Sequence, residues 1–169
     1  ETSCRFWNLL REGRLADFVS AYAGAFRFKA PLVSLLPLPL YAVLGPSYQT
    51  AVLANLAALG LLALSLYHLG RRWFSETAGG LAAALALLTP LTAHLSRLYF
   101  VECWLSALTA AFLWRLAESD GLTRRREAPA VGALAGLGLL AKVLFPLAVA
   151  APAAVLLHDR RPAWRDVEP

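Results

Sequence analysis

Methionine is absent from the 169 residues, cysteine occurs twice, and charged residues make up only 16% of the chain. Each shortage closes a route. Cys4 and Cys103 alone form no disulfide framework. His68, His94 and His158 are too far apart for the close ligand spacing of a metal site, so no cofactor is evident. A divalent metal held by residues outside this sequence stays open. The first residues are polar rather than a basic run followed by an apolar one, so no signal peptide is visible. With Glu1 as first residue and a polar trail from Asp166 to Pro169, the chain reads as a piece truncated at both ends.

Apolar residues supply 59% of the chain and mean hydropathy is +0.56. They come in blocks nearly free of charge: Ala30 to Gly70, Thr77 to His94, Cys103 to Trp114 and Ala128 to His158. Blocks this long exceed what a soluble domain of this size can bury, and a helix needs ~20 apolar residues to cross a bilayer. The expectation is an all-α, polytopic transmembrane helix bundle. The net charge of +5 does not point to nucleic acid, because the basic residues fall between the apolar blocks, as in membrane proteins.

Along the chain, residues 1–29 read as an outer loop with an amphipathic interfacial helix. Phe6, Leu9, Leu10 and Phe18 recur near helical spacing among Arg5, Arg11 and Arg14, with a break at Gly13. A soluble helix packed on a missing domain is the competing reading. Residues 30–158 form the membrane-embedded part of a single module and 159–169 a polar tail. Expected spans are 30–44, kinked by Pro37 and Pro39; 48–69, capped by Ser47; 75–95, capped by Ser75 with Pro90 tolerated inside; and 100–117. The small residues Gly79, Gly80 and Ala82 to Ala84 would let a neighbouring helix approach closely. The last apolar block, 31 residues with Lys142 near its middle and Pro146 after it, would be ~46 Å long as one helix, so it divides into a hairpin with Lys142 at the turn.

The positive-inside rule assigns Arg71 and Arg72, Arg124 to Arg126, and the returning Arg160, Arg161 and Arg165 to the cytoplasm. Arg27, Lys29, His94, Arg97, Glu102 and Lys142 then fall on the outer face with Glu1. Ionisable groups at membrane depth are costly, and converging cations suit a phosphate. For Arg97 and Lys142, snorkelling to headgroups is the bland alternative.

The order of motifs resembles the polytopic glycosyltransferases of the protein mannosyltransferase and aminoarabinose transferase type, which share the GT-C fold. The matching segments are Glu1-Thr2-Ser3-Cys4-Arg5, Lys29-Ala30-Pro31-Leu32, Leu44 to Ser47, Gly70-Arg71-Arg72-Trp73-Phe74 with Ala78-Gly79, the flanking pair Arg97 and Glu102, and Gly136 to Lys142. Ala30 stands where the family has the first proline of its motif, and Thr50-Ala51-Val52 stands where many relatives carry an arginine.

The resemblance implies a sugar transfer, with inversion, from a polyprenyl-phosphate carrier to an acceptor glycan, lipid or protein. The Ala/Leu/Arg-heavy composition suggests a bacterial genome, and with the topology above the expectation is an inner-membrane protein with its site on the periplasmic side. By the resemblance, the general base is the first acid of an Asp-Glu pair. Either Glu1 is the second member and the aspartate precedes it, or Glu1 replaces that base. Lys29 matches the donor-phosphate lysine, Arg97 and Lys142 are assigned to the same phosphate, and Glu102 and His94 to the cavity's polar lining. A lipid-phosphate-binding transporter or flippase component, and a structural subunit, are the readings from other classes.

Overall fold

The computed structural model describes residues 2–25, 32–120, 122, 124 and 126–159, with the backbone alone for 158 and 159. Glu1, Arg27, Lys29, Arg125, Arg160, Arg161 and Arg165 lie outside the described residues. Ten α-helices and no strand form among those described: α1 (Thr2–Arg11), α2 (Leu15–Ala25), α3 (Leu32–Leu35), α4 (Leu38–Leu44), α5 (Tyr48–Trp73), α6 (Glu76–Leu88), α7 (Pro90–Ser96), α8 (Val101–Glu118), α9 (Ala128–Ala141) and α10 (Phe145–Asp159).

The interruptions follow local chemistry. α1 ends before Gly13, whose φ of +70° reverses the chain into α2. Pro37 stands between α3 and α4, where its ring removes a backbone donor. Ser47 starts α5, its Oγ accepting the Thr50 N–H at 3.0 Å, and Ser75 does the same for α6 through the Ala78 N–H at 3.1 Å. α5 has 26 residues, about 39 Å at 1.5 Å per residue, and is the one described helix long and apolar enough to cross a membrane by itself. α6 and α7 meet that test only together. The sequence reading treats Pro90 as tolerated within one helix, but the chain bends there by 60°. Thr89, with ψ of 129°, leaves the helical region just before the proline, as a residue preceding proline tends to do.

α8 is the central element because it is apolar on two faces. Cys103, Ala107 and Ala110 are small and pack on Ala58 and Leu62 of α5. Leu108, Phe112 and Leu116 meet Val131 and Ala141 of α9 and Phe145 and Val149 of α10. α5 and α6 come closest at two glycines. A Cβ added to Gly79 would sit 2.4 Å from the Tyr67 carbonyl oxygen, and one added to Gly70 would sit 2.5 Å from Gly79 Cα. Large apolar side chains point outward from α5, α6 and α10, among them Leu56, Leu85 and Leu147. An apolar rim around a packed interior is what lipid permits.

The two ends of α8 carry different charges. Beyond its C-terminus Asp120 accepts from Arg72 at 2.6 Å and Arg124 at 2.8 Å, which joins the α5–α6 turn to the α8–α9 loop. Its N-terminus carries Glu102. The 18 residues of α8 separate the two groups by about 27 Å.

Candidate active site

Lys142 stands where α9 stops. Its backbone is extended (φ −159°, ψ 131°), its N–H still donates to the Gly138 carbonyl, and its own carbonyl accepts the Phe145 N–H at 2.9 Å. α10 can therefore turn away sharply. The corner is tight because Gly138 has no side chain: a Cβ there would lie 2.4 Å from the Phe145 ring. The expected hairpin is thus formed by α9 and α10, with Lys142 at its turn.

From that turn Lys142 Nζ reaches Glu102 Oε1, in the first turn of α8, at 3.2 Å. The two side chains are 34% and 42% exposed, so the pair sits at an opening rather than in the packed core. Both line a cavity of about 670 Å³, within the ~300–1,000 Å³ usual for small-molecule sites. Four further elements contribute: Thr2, Ser3 and Cys4 from the first turn of α1, Val33 and Ser34 from α3, Tyr41 from α4, and Tyr48 and Ala51 from α5.

Tyr99 completes the wall between α7 and α8. Its hydroxyl donates to the Val33 carbonyl, and its N–H donates to the Tyr48 hydroxyl at 3.4 Å. Burial pushes the Tyr99 phenol well above its ordinary value, so the hydroxyl remains a donor. A second cavity of about 820 Å³ lies between α1 and α2, with Arg5, Arg14 and Asp17 in its lining. Thr2 and Ser34 line both.

Of the residues singled out from the sequence, Glu102 and Lys142 are brought into contact. His94, in the last turn of α7, and Arg97, just past it, are exposed and are not among the residues lining the cavity. Glu1, Arg27 and Lys29 lie outside the described residues, but Thr2 follows Glu1 directly and Val33 follows Lys29 by four, and both line the cavity. The tyrosines Tyr41, Tyr48 and Tyr99 went unnoticed in the sequence. The signal was weak, since tyrosine is common at membrane interfaces.

A helical bundle with an apolar rim, broken helices and an ion pair facing an internal cavity defines an integral membrane protein with a polar site. The sequence model of the dolichyl-phosphate-mannose-protein mannosyltransferase family matches residues 28–169, and the chain belongs to that family. It is therefore a membrane glycosyltransferase that uses a lipid-linked sugar donor. Searches of curated proteins and of solved structures gave no match.

Proposed function

We propose that the protein transfers a sugar from a polyprenyl-phosphate carrier to an acceptor at the outer face of a bacterial inner membrane, with inversion at the anomeric carbon. The observation that carries this reading is the Lys142 ammonium, 3.2 Å from Glu102, on a cavity that the residues following Glu1 also line.

The reaction divides its charge between two places. An acceptor hydroxyl or amine attacks the anomeric carbon, and its proton passes to a carboxylate, either Glu1 or an aspartate before it. The bond from that carbon to the phosphate oxygen breaks as the new one forms, and its electron pair leaves on the polyprenyl phosphate. Lys142, with Lys29, meets that developing charge. Glu102 keeps the Lys142 ammonium at the cavity before donor arrives. An ion pair this exposed contributes only ~0–1 kcal/mol, so a phosphate can take the ammonium without a large barrier. His94, exposed on α7, and Arg97, exposed just past its end, are assigned to the approach of the headgroup rather than to the bond-breaking step.

The test is Lys142→Ala in the full-length protein, assayed with a panel of polyprenyl-phosphate sugars. A charge-assisted hydrogen bond of about 1.5–3 kcal/mol corresponds to a loss of roughly 10- to 100-fold in kcat/KM. Lys142→Arg should recover part of it. Transfer by Lys142→Ala at the wild-type rate would remove this lysine from the site.

A further inference from the structure

Asn55 and Ser65 interrupt the apolar run of α5 and both are buried; the Ser65 hydroxyl donates to the Leu61 carbonyl of its own helix, whereas Asn55 reaches another element. Asn55 is 1% exposed. Its Nδ2 donates to the Ser96 carbonyl at 3.0 Å and the Leu98 carbonyl at 2.9 Å. Ser96 ends α7, so its carbonyl belongs to the group that a helix terminus leaves without an intrahelical partner. In an apolar bundle such a carbonyl needs a donor brought from elsewhere. The primary amide of asparagine has two donors on one nitrogen, which suits two carbonyls close together.

The same face of α5 holds this segment at a second point. Tyr48 lies seven residues before Asn55, two helical turns away, and its hydroxyl accepts the Tyr99 N–H. Tyr99 is fastened on its other side to Val33. Immediately after this stretch Phe100 opens α8, and Glu102 follows in its first turn. The chain from Ser96 to Glu102 is therefore a short strap between α7 and α8, tied to α5 at its start and bearing the partner of Lys142 at its end. The 60° bend at Thr89 and Pro90 frees α7 from the direction of α6, so the strap's position is not inherited from a continuous helix.

We infer that Asn55 is a positioning residue for sugar transfer: its two hydrogen bonds to the Ser96 and Leu98 carbonyls fix the strap that sets Glu102 against Lys142. This inference rests on the transferase reading above for its consequence in rate. Its structural half is independent of that reading. Leucine at this position would match the helix but leave the carbonyls without the amide. Aspartate would keep the shape and turn lone pairs towards them.

Two measurements on the full-length protein test it. The first is a kinetic cycle on Asn55→Asp, Glu102→Gln and the double variant, with activity expressed per folded molecule. Asn55→Asp alone should lower kcat/KM by up to about fivefold, the ~1 kcal/mol that an ion pair this exposed can contribute. The Asn55→Asp loss should largely vanish once Glu102→Gln is present, because both act through one contact. A merely structural role would reduce the folded fraction and leave specific activity alone. That result, or losses that multiply independently, overturns the inference.

The second measurement reads geometry without turnover. Spin labels on Phe100→Cys and Val143→Cys, both exposed, in a Cys4→Ser, Cys103→Ala background, report the separation of the strap from the α9–α10 corner. Asn55→Leu and Asn55→Asp should broaden that distance distribution. An unchanged distribution refutes the strap even if the Lys142 variants are inactive. A broadened one sustains it even if Lys142→Ala transfers sugar normally.

Discussion

Adjacent glycines on α6 should respond to the same substitution with opposite signs. Gly79 and Gly80 both lie in the interior of α6, where replacing glycine by alanine gains about 0.5–1 kcal/mol of backbone entropy if nothing obstructs the methyl. At Gly80 nothing lies within 4 Å of the added carbon, so Gly80→Ala should stabilise by that amount or slightly less. At Gly79 the carbon would lie 2.4 Å from the Tyr67 carbonyl oxygen and 2.9 Å from the Arg71 nitrogen. Both obstacles are backbone of α5, so no side-chain rotation relieves the clash. The helices must part by about 1 Å, and overpacking of this kind costs about 1–3 kcal/mol. Even after the entropy gain, Gly79→Ala should destabilise by roughly 0.5–2 kcal/mol. The assay is unfolding of each variant in mixed micelles titrated with a denaturing detergent, compared by midpoint and slope. Shifts of the same sign, or a Gly79→Ala midpoint above that of the wild type, would refute the claimed closeness of α5 and α6.

Two further outcomes follow from contacts nearer the ends of the bundle. Gly138→Ala drives a methyl into the Phe145 ring and opens the corner that carries Lys142, so it should lower transfer activity per folded molecule, and Phe145→Leu in the same chain should restore part of it; an undisturbed rate in the single variant counts against the corner. Arg72 and Asp120, with side chains 28% and 20% exposed, join segments 48 residues apart, and a double-mutant cycle to alanine should give a coupling of about 0.5–1 kcal/mol in unfolding free energy, whereas a value near zero would mean that the two loops are not held together by this pair.

The sequence was informative where a single residue type has a single physical meaning. Ser47 and Ser75 could be read as caps because each stands before an apolar run, and each hydroxyl does accept the N–H three residues on. Gly13 marked the end of α1 because a positive φ favours glycine. The division of residues 128–158 followed from length alone. Pro90 was harder, because a proline inside a membrane helix can be absorbed or can break it, and the choice depends on what the following turn packs against. Here the turn after it is held from α5 by Asn55, a contact across 41 residues that no local pattern encodes. The Glu102–Lys142 pair was legible as two charges on one face, yet not as a contact, because the 3.2 Å separation needs both the α9–α10 corner and the start of α8 in place. Arg97 illustrates the converse: it is close to Glu102 in sequence and shares its membrane face in a simple topology, but the strap turns between them and leaves the arginine exposed.

The cavity and the broken helices have one cause. A continuous helix satisfies its own backbone, so it can face lipid anywhere along its length and offers no opening. Each interruption exposes carbonyls and N–H groups that lipid cannot satisfy, and these interruptions therefore collect where protein or water can reach them. In this chain the α3–α4 break, the α7–α8 strap and the α9–α10 corner all border one cavity, through Tyr41, Tyr99 and Lys142 respectively. All three receive protein donors, from the Tyr99 hydroxyl onto the Val33 carbonyl of α3, from Asn55 onto the strap and from Phe145 N–H onto the Lys142 carbonyl. Groups free to meet a charged headgroup can then project from the same places, as Lys142 and Glu102 do. A chain that needs a polar site at membrane depth has to break its helices there, and prolines and glycines near those breaks are part of what builds the site.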